Sequence, residues 1–316
     1  MATATTPDAL VNHYNNVLPT MWSAKIQQTE NALLPFVTPK TLTGKLTFID
    51  QINPLDNMHA ITQRFQRLQI EEPNYDRRVI GWKAFEKTEG FDQYDDIKLG
   101  VQSLPVVPVM TEMANLGHRT AELGIIQAIT GPNYAGEVGT QEITLGTDRI
   151  IPWNFNYDGT TTKRGMTLDK FARARRKFYA DYAYGQGLTN GTDQLCAALS
   201  AAQIEDMVQD ARLTNRLDSI FALEKLRNFE ADTFMGVRIL HTEQAPTRLE
   251  GSDIIRQVPF WLKSKVVFGF AKNWTMRMWV EEMLNFAILM NGQFAFGGTR
   301  TEEKGVLIVE CVENPA

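Results

Sequence analysis

The sequence is poor in the residues that most often carry chemistry. Its 316 residues include two cysteines and four histidines. Cys196 and Cys311 are too few for a disulfide framework, and each sits in an apolar run, so both are expected as reduced core residues. His13, His59, His118 and His241 are scattered, with no pair at metal-ligand spacing, which excludes an evident metal site. There is no glycine fingerprint for a dinucleotide, no phosphate-cradling Walker loop and no serine on a strand-to-helix elbow, so no catalytic residue and no cofactor are expected. No apolar run approaches the length that spans a bilayer, and the opening residues, 1–16, carry neither a basic cluster nor an apolar stretch. Secretion and a membrane partner are therefore not expected. Cationic excess is missing too: a formal net charge of -5 argues against a protein whose main business is gripping nucleic acid, because neutralising phosphates needs a basic surface. Any contact with DNA must be local.

What is present is a chain able to bury a core. Hydrophobic residues make up 43% and charged residues 22% of the sequence, with 13 prolines, a composition within globular norms. Residues 1–43 are polar with spaced apolar anchors (Leu10, Val17, Leu18, Met21, Trp22, Ile26, Leu33, Leu34) interrupted by Pro19, Pro35 and Pro39, and read as an arm that docks on something else. Lys45–Ile52, Ile61–Ile70 and Arg77–Trp82 alternate as strands do, separated by turn residues at Asn53-Pro54 and Pro73-Asn74. They carry Arg64, Arg67, Arg77 and Arg78 among few apolar neighbours. An isolated hairpin of that kind is marginal in water, so it should need a partner.

From Ser103 to Thr130 an apolar stripe (Val106, Val109, Met110, Met113, Leu116, Leu123, Ile126, Ile129) recurs at helical period, with Glu112, Arg119 and Glu122 off the stripe, and Gly131-Pro132 stops it. Two dozen helical residues span roughly 36 Å, which suggests a structural spine. A second helix is expected from an N-cap at Thr167, ending at Gly185, and a third from a capping box at Ser200 and Gln203. Phe234–Leu240, Lys265–Phe270, Trp274–Glu282, Asn285–Phe296 and Gly305–Val312 read as strands. The class is α+β with no βαβ repeat and no internal repeat.

Two charged clusters stand out. Arg173, Arg175, Arg176 and Lys177 form the main basic group; it could face DNA, but a solvated helix face paired with Asp169 and Asp181 is the plainer reading. Asp92, Asp95 and Asp96 lie close together and would suit a carboxylate-based hydrolase, though a solvated turn is again the plainer reading. The tail, Gly297-Gly-Thr-Arg-Thr-Glu-Glu-Lys-Gly305, puts an alternating-charge turn before a buried strand.

In their order these pieces resemble the major capsid proteins of tailed bacteriophages, the Hong Kong 97-type fold. Gly44–Gln51 with Arg77–Ile80 is similar to the strands of that family's extended loop. Asp95–Gly100 and the helix to Gly131 resemble the approach to its spine helix and the spine itself. The glycine-rich 136–145, the Met235–Glu243 strand and above all the ending from Phe296 to Cys311 resemble the segments that follow. The resemblance implies an N-terminal arm (1–43), an extended β-hairpin loop (44–90), a peripheral domain with the long spine helix (91–166 and 275–316) and an axial domain (167–274).

It further implies assembly into hexamers and pentamers of an icosahedral procapsid in the host bacterial cytoplasm, and a place in the virion around double-stranded DNA. The partners would be further copies of the chain, a portal protein and, as an option, a decoration protein. Because this chain begins too close to its arm to hold the upstream scaffolding segment of some members, a separate scaffolding protein is expected. Candidate inter-subunit contacts are Arg64, Arg67, Arg77, Arg78, Arg300, Glu302, Glu303 and Lys304; candidate DNA-facing residues are Arg173, Arg176 and Lys177. The competing readings are a cytosolic carboxylate-based hydrolase and another phage structural protein, such as a decoration or tail-tube subunit.

Overall fold

The structure is a computed structural model and describes residues 28–53, 72–92, 94, 106–157, 164–181, 193–210, 233–284 and 286–313. The expected strand Ile61–Ile70, the arm anchors Leu10–Ile26 and the stop at Gly185 lie outside these residues. In chain order the elements are β1 (Thr38–Pro39), β2 (Leu46–Ile52), β3 (Tyr75–Gly81), β4 (Lys83–Phe91), α1 (Val106–Thr130), β5 (Asn133–Ala135), β6 (Gln141–Ile143) and β7 (Ile150–Ile151). Then come α2 (Leu168–Ala180), β8 (Leu195–Leu199), α3 (Ala201–Gln209), β9 (Thr233–Phe234), β10 (Val237–His241), β11 (Thr247–Glu250), β12 (Asp253–Leu262), β13 (Val266–Glu281), β14 (Ala287–Arg300) and β15 (Val306–Val312). Mixed helix and sheet in this arrangement is the expected α+β class.

The chain divides into two compact units, Met1–Asn31 with Lys83–Glu122 and Phe270–Phe296, and Ala32–Trp82 with Leu123–Gly269 and Gly297–Ala316. The second holds the larger sheet, in the order β7-β15-β12-β8-β10-β9 with β11 also on β12. All seven residues of β15 are buried, the signature of a strand covered on both faces. Helices α2 and α3 supply Phe171, Phe178, Ile204 and Met207 to a core with Leu195, Phe260, Leu307 and Val309. The Phe171 ring meets Phe234 and Phe260 edge-on, with centroids 5.2 and 5.4 Å apart. Each large side chain buried in this way contributes about 1.5–3 kcal/mol. Both helix starts are as expected: the Thr167 hydroxyl accepts from the Lys170 amide, and Ser200 and Gln203 form the capping box. Between β9 and β10 a two-residue turn holds Met235 and Gly236 at φ +50° and +79°, the signs a type I′ hairpin turn requires.

The hairpin of β2 and β3 has a partner within its own chain. β5 pairs with the free edge of β3, and β6 with β5. At that end Arg78, Val79 and Ile80 are all buried, because the added strands cover the base of a ladder that would be marginal as two strands.

In the smaller unit, β4 pairs with β14 from Lys83 opposite Phe296 to Phe91 opposite Ile288. Phe85 stacks on Phe296 at 4.7 Å, and Trp274 lies 5.3 Å from Phe294. Lys265–Phe270 and Trp274–Glu282 are parts of one strand, β13, rather than two. The polar link at Lys272 does not break it, because Lys272 Nζ bonds Gln293 Oε1 at 2.8 Å and Thr275 bonds the Gln293 carbonyl at 3.3 Å. The expected stripe on α1 includes Met113, Ile126 and Ile129, which are buried, and departs from the structure at Leu123 and its neighbour. Leu123 is 41% exposed while Glu122 is fully buried, accepting a hydrogen bond from Gln28 Nε2 at 2.5 Å. Large apolar residues alone do not define the buried face, which includes Gly117 and Ala121.

Candidate assembly surfaces

The β2–β3 ladder sets Asp50 opposite Arg77 and Ile52 opposite Tyr75. Its outer end is uncovered: Ile52 is 66% and Tyr75 63% exposed. Arg77 bonds Asp50 at 2.5 Å and lies 5.1 Å above the Phe48 ring, so aromatic, guanidinium and carboxylate share one exposed patch. The hydrogen bond from Arg77 holds the Asp50 carboxyl below its usual range. Arg64 and Arg67 lie outside the described residues.

At the other end of the ladder the structure brings together two groups that are far apart in sequence. Arg78 pairs with Glu303 at 2.8 Å, and Arg300 approaches the other Glu303 oxygen at 3.7 Å. Arg300 is buried completely, and its guanidinium donates to the carbonyls of Ile129 at 3.2 Å, Gly131 at 2.5 Å and Ile143 at 2.8 Å. The first two are end-of-helix carbonyls of α1, left without intrahelical partners and at the negative end of the helix dipole. Burial draws the Arg300 guanidinium below its ordinary value. Arg300 is therefore a side-chain cap of α1 inside its own chain, and Arg78 is tied into the same cluster. Around them Glu302 bonds Lys265 at 3.1 Å, and Lys304 is exposed.

On α2, Arg176 is exposed, Arg173 lies 5.7 Å over the Phe155 ring, and Arg175 lies 5.3 Å over Tyr179. Lys177 is half-buried in the last turn. Asp181 pairs with Arg149 at 2.5 Å, while Asp169 is buried, so the cluster's charge is directed outward mainly through Arg176.

Sequence reasoning misses Lys170 on the same helix. It is fully buried, and its ammonium donates to the carbonyls of Arg164, Gly165 and Glu310 at 2.9, 2.9 and 3.0 Å. Asp206 clasps the same loop by accepting from the Met166 amide at 3.0 Å. Burial lowers the Lys170 value and raises that of Asp206. Burial also pushes the thiols of Cys196 and Cys311 up to about 12; both are free and inside strands.

Two cavities flank α1 in the smaller unit. One of about 350 Å³ is lined by Phe91, Val109, Met113 and Leu116 with Lys87 and Arg119 at its rim. The other, of about 180 Å³, is lined by Ala114, Gly117, Ala121, Phe270 and Trp274. Among the described residues no three His, Cys, Asp or Glu side chains come together to hold a metal ion, and no helix is long and apolar enough to cross a membrane. Asp92 is exposed, and Asp95 and Asp96 fall outside the described residues.

A comparison with curated protein sequences gave no match. Solved structures do match in fold. The capsid of Ralstonia phage GP4 superposes with a TM-score of 0.68 at 9% identity, covering 95% of this chain and 97% of that one. The acid-stable capsid of Helicobacter pylori bacteriophage KHP30 gives 0.64 at 9% identity, with 99% and 100% covered. The capsid of cyanophage Pam1 gives 0.61 at 12% identity, with 99% of each chain covered. The profile of the family described as phage capsid protein matches residues 7–313. With that match over nearly its whole length and a fold shared with these capsids, the chain belongs to the phage capsid protein family.

Proposed function

We propose that the chain assembles with copies of itself into hexamers and pentamers, and that these close into an icosahedral shell around a double-stranded DNA genome. The observation that carries this reading is the two-ended hairpin of β2 and β3. One end is fastened into the body through Arg78 and Glu303, while the other presents Phe48, Ile52, Tyr75 and Arg77 to solvent. A surface built from ordered strands yet left apolar and charged is one that a neighbour completes. Exposed ion pairs contribute only about 0.2–1 kcal/mol each, so contacts by Arg77, Lys304 and the loop arginines Arg64 and Arg67 set register more than affinity. Many weak contacts closed into one lattice make a stable shell and let misplaced subunits leave during assembly.

Arg173, Arg176 and Lys177 would supply the local, non-specific contact with packaged DNA. A separate scaffolding protein and a portal protein complete the assembly in the host cytoplasm, with a decoration protein as an optional addition. The chain does no catalysis in this reading; its product is the virion shell. Full-length chain, alone and with the scaffolding protein co-expressed, is tested by size-exclusion chromatography and negative-stain microscopy. Closed shells or capsomers are expected. A small fixed oligomer with hydrolytic activity under both conditions would overturn the proposal.

A further inference from the structure

Of the two cavities beside α1, the smaller, of about 180 Å³, is walled by aromatic rings on the sheet side and by small residues on the helix side. Phe270 and Trp274 stand at even spacing on β13, so they project from the same face of that strand. Phe294 on β14 completes the wall, its ring centroid 5.3 Å from that of Trp274. Opposite them α1 presents Ala114, Gly117 and Ala121, whose spacing places them in one line along the helix. The cavity exists because none of these three residues carries a side chain longer than a methyl group.

Such a gap ordinarily closes, because empty space forfeits dispersion contacts and neighbouring side chains relax into it. Here the rings that could do so are held. A Cβ at Gly117 would come within 2.9 Å of the Trp274 indole and one at Gly292 within 2.6 Å, so the indole already rests against two backbones and is not free to swing inward. Phe294 is buried and packs in turn against Phe85 and Phe296, with centroids 5.6 and 5.2 Å away. Water is a poor filler, since a buried water needs about two to four polar partners. The lining offers the side chains of His118 and Asn273 alone, and both are exposed to bulk solvent.

We infer that this cavity is a binding site for a small planar aromatic molecule, one ring or two fused rings in size. An apolar cavity of about 150 Å³ stays dry and admits benzene, so the space here takes one ring and leaves room for a substituent or a second ring. Aromatic walls select an aromatic guest over an aliphatic one, because a flat ring gains edge-to-face and offset-stacked contacts beyond its burial. Ionic guests are excluded: no carboxylate, lysine or arginine lines the cavity, and a charge placed there would lose its water without gaining a partner. His118 and Asn273 can meet one polar group on the outer edge of the guest, such as the N–H of an indole. Binding here draws on one subunit alone and does not depend on assembly.

The test titrates full-length chain with benzene, indole and cyclohexane, reading contact by saturation-transfer NMR and occupancy by melting temperature. Dissociation constants of roughly 0.1–1 mM are expected for aromatic guests of this size. A guest at ten times its dissociation constant should raise the melting temperature by about 2 °C. Cyclohexane, close to benzene in size but not flat, should bind about threefold more weakly or worse. Ala114→Leu puts a side chain into the cavity and should weaken benzene binding roughly tenfold or more; Ala121→Val takes its place if that variant does not fold. Val109→Phe fills the larger cavity on the other side of α1 and should leave benzene binding unchanged. Absence of binding to the wild-type chain, equal affinity for cyclohexane, or binding lost in Val109→Phe and kept in the cavity-filling variant would each overturn the inference.

Discussion

Lys170 is a cation enclosed by protein, and its three ammonium protons are matched by three carbonyls, those of Arg164, Gly165 and Glu310. The match joins the loop before α2 to β15. Lys170→Met keeps the length of the stem but leaves three buried acceptors unpaired, at about 1–3 kcal/mol each. Relief of the ammonium's desolvation offsets part of that loss, and a net destabilisation of roughly 2–4 kcal/mol is expected from urea unfolding of the subunit. Asp206, on the other side of the same loop, supplies a pH dependence. Burial raises its folded value above the ordinary 3.8, so on acidification the folded state takes up its proton first. The stabilisation from that proton is complete below 3.8 and is lost as pH rises through the folded value. Asp206→Asn lacks this term. Its urea midpoint relative to wild type should therefore fall as pH is lowered from 7 towards 4; a constant difference would mean that the carboxyl is not desolvated. The caps at Thr167 and Ser200 are legible in the sequence because donor and acceptor lie within three residues. Lys170 is not, because one of its partners is 140 residues away.

At the scale of elements, α1 is readable as a helix but not in its contacts. The apolar period gives its extent to Thr130, and Gly131 and Pro132 give its end. The tightest packing on it involves a missing side chain. A Cβ at Gly117 would lie 2.9 Å from the Trp274 indole, and one at Gly292 on β14 would lie 2.6 Å from another edge of the same ring. The indole is thus held between two glycines on different elements. Gly117→Ala would gain about 1 kcal/mol of helix propensity, but the ring cannot withdraw towards Gly292, and overpacking costs about 1–3 kcal/mol. Destabilisation is expected for Gly117→Ala and more for Gly117→Val, read as a fall in melting temperature. A rise for the alanine variant would show that Trp274 has room to move. Arg300 teaches the same lesson in polar form. Its alternating-charge surroundings read as an exposed turn, yet β14 continues through Gly297 and Gly298 to carry it inside, where it caps α1. A guanidinium satisfied by distant carbonyls leaves no local signature.

On the scale of the whole molecule, the order of the motifs is more legible than any of them singly, and the division into compact units is the least legible feature. The chain passes from one unit to the other within α1, β13 and β14, inside continuous helix or strand rather than at a loop between elements. In the proposed assembly, the hairpin of β2 and β3 would divide folding from assembly. Its base belongs to the body, because β5 pairs with β3 and Arg78 meets Glu303. The ladder closes at the amide of Asn53, which donates to the Asn74 carbonyl at 2.9 Å, so the residues beyond can be removed without opening it. Deleting residues 54–71 and joining 53 to 72 through a short glycine turn should leave a subunit whose melting temperature changes by no more than about 2 °C, equivalent to less than about 1 kcal/mol for a chain of this size. On the proposed assembly the same deletion should abolish closed shells. Arg78→Ala is the contrasting case: it uncouples the hairpin base from Glu303 and should lower both melting temperature and particle yield. Normal shells from the deletion chain in negative-stain images, or a deletion chain that melts as early as Arg78→Ala, would show that the two tasks are not separated along this hairpin.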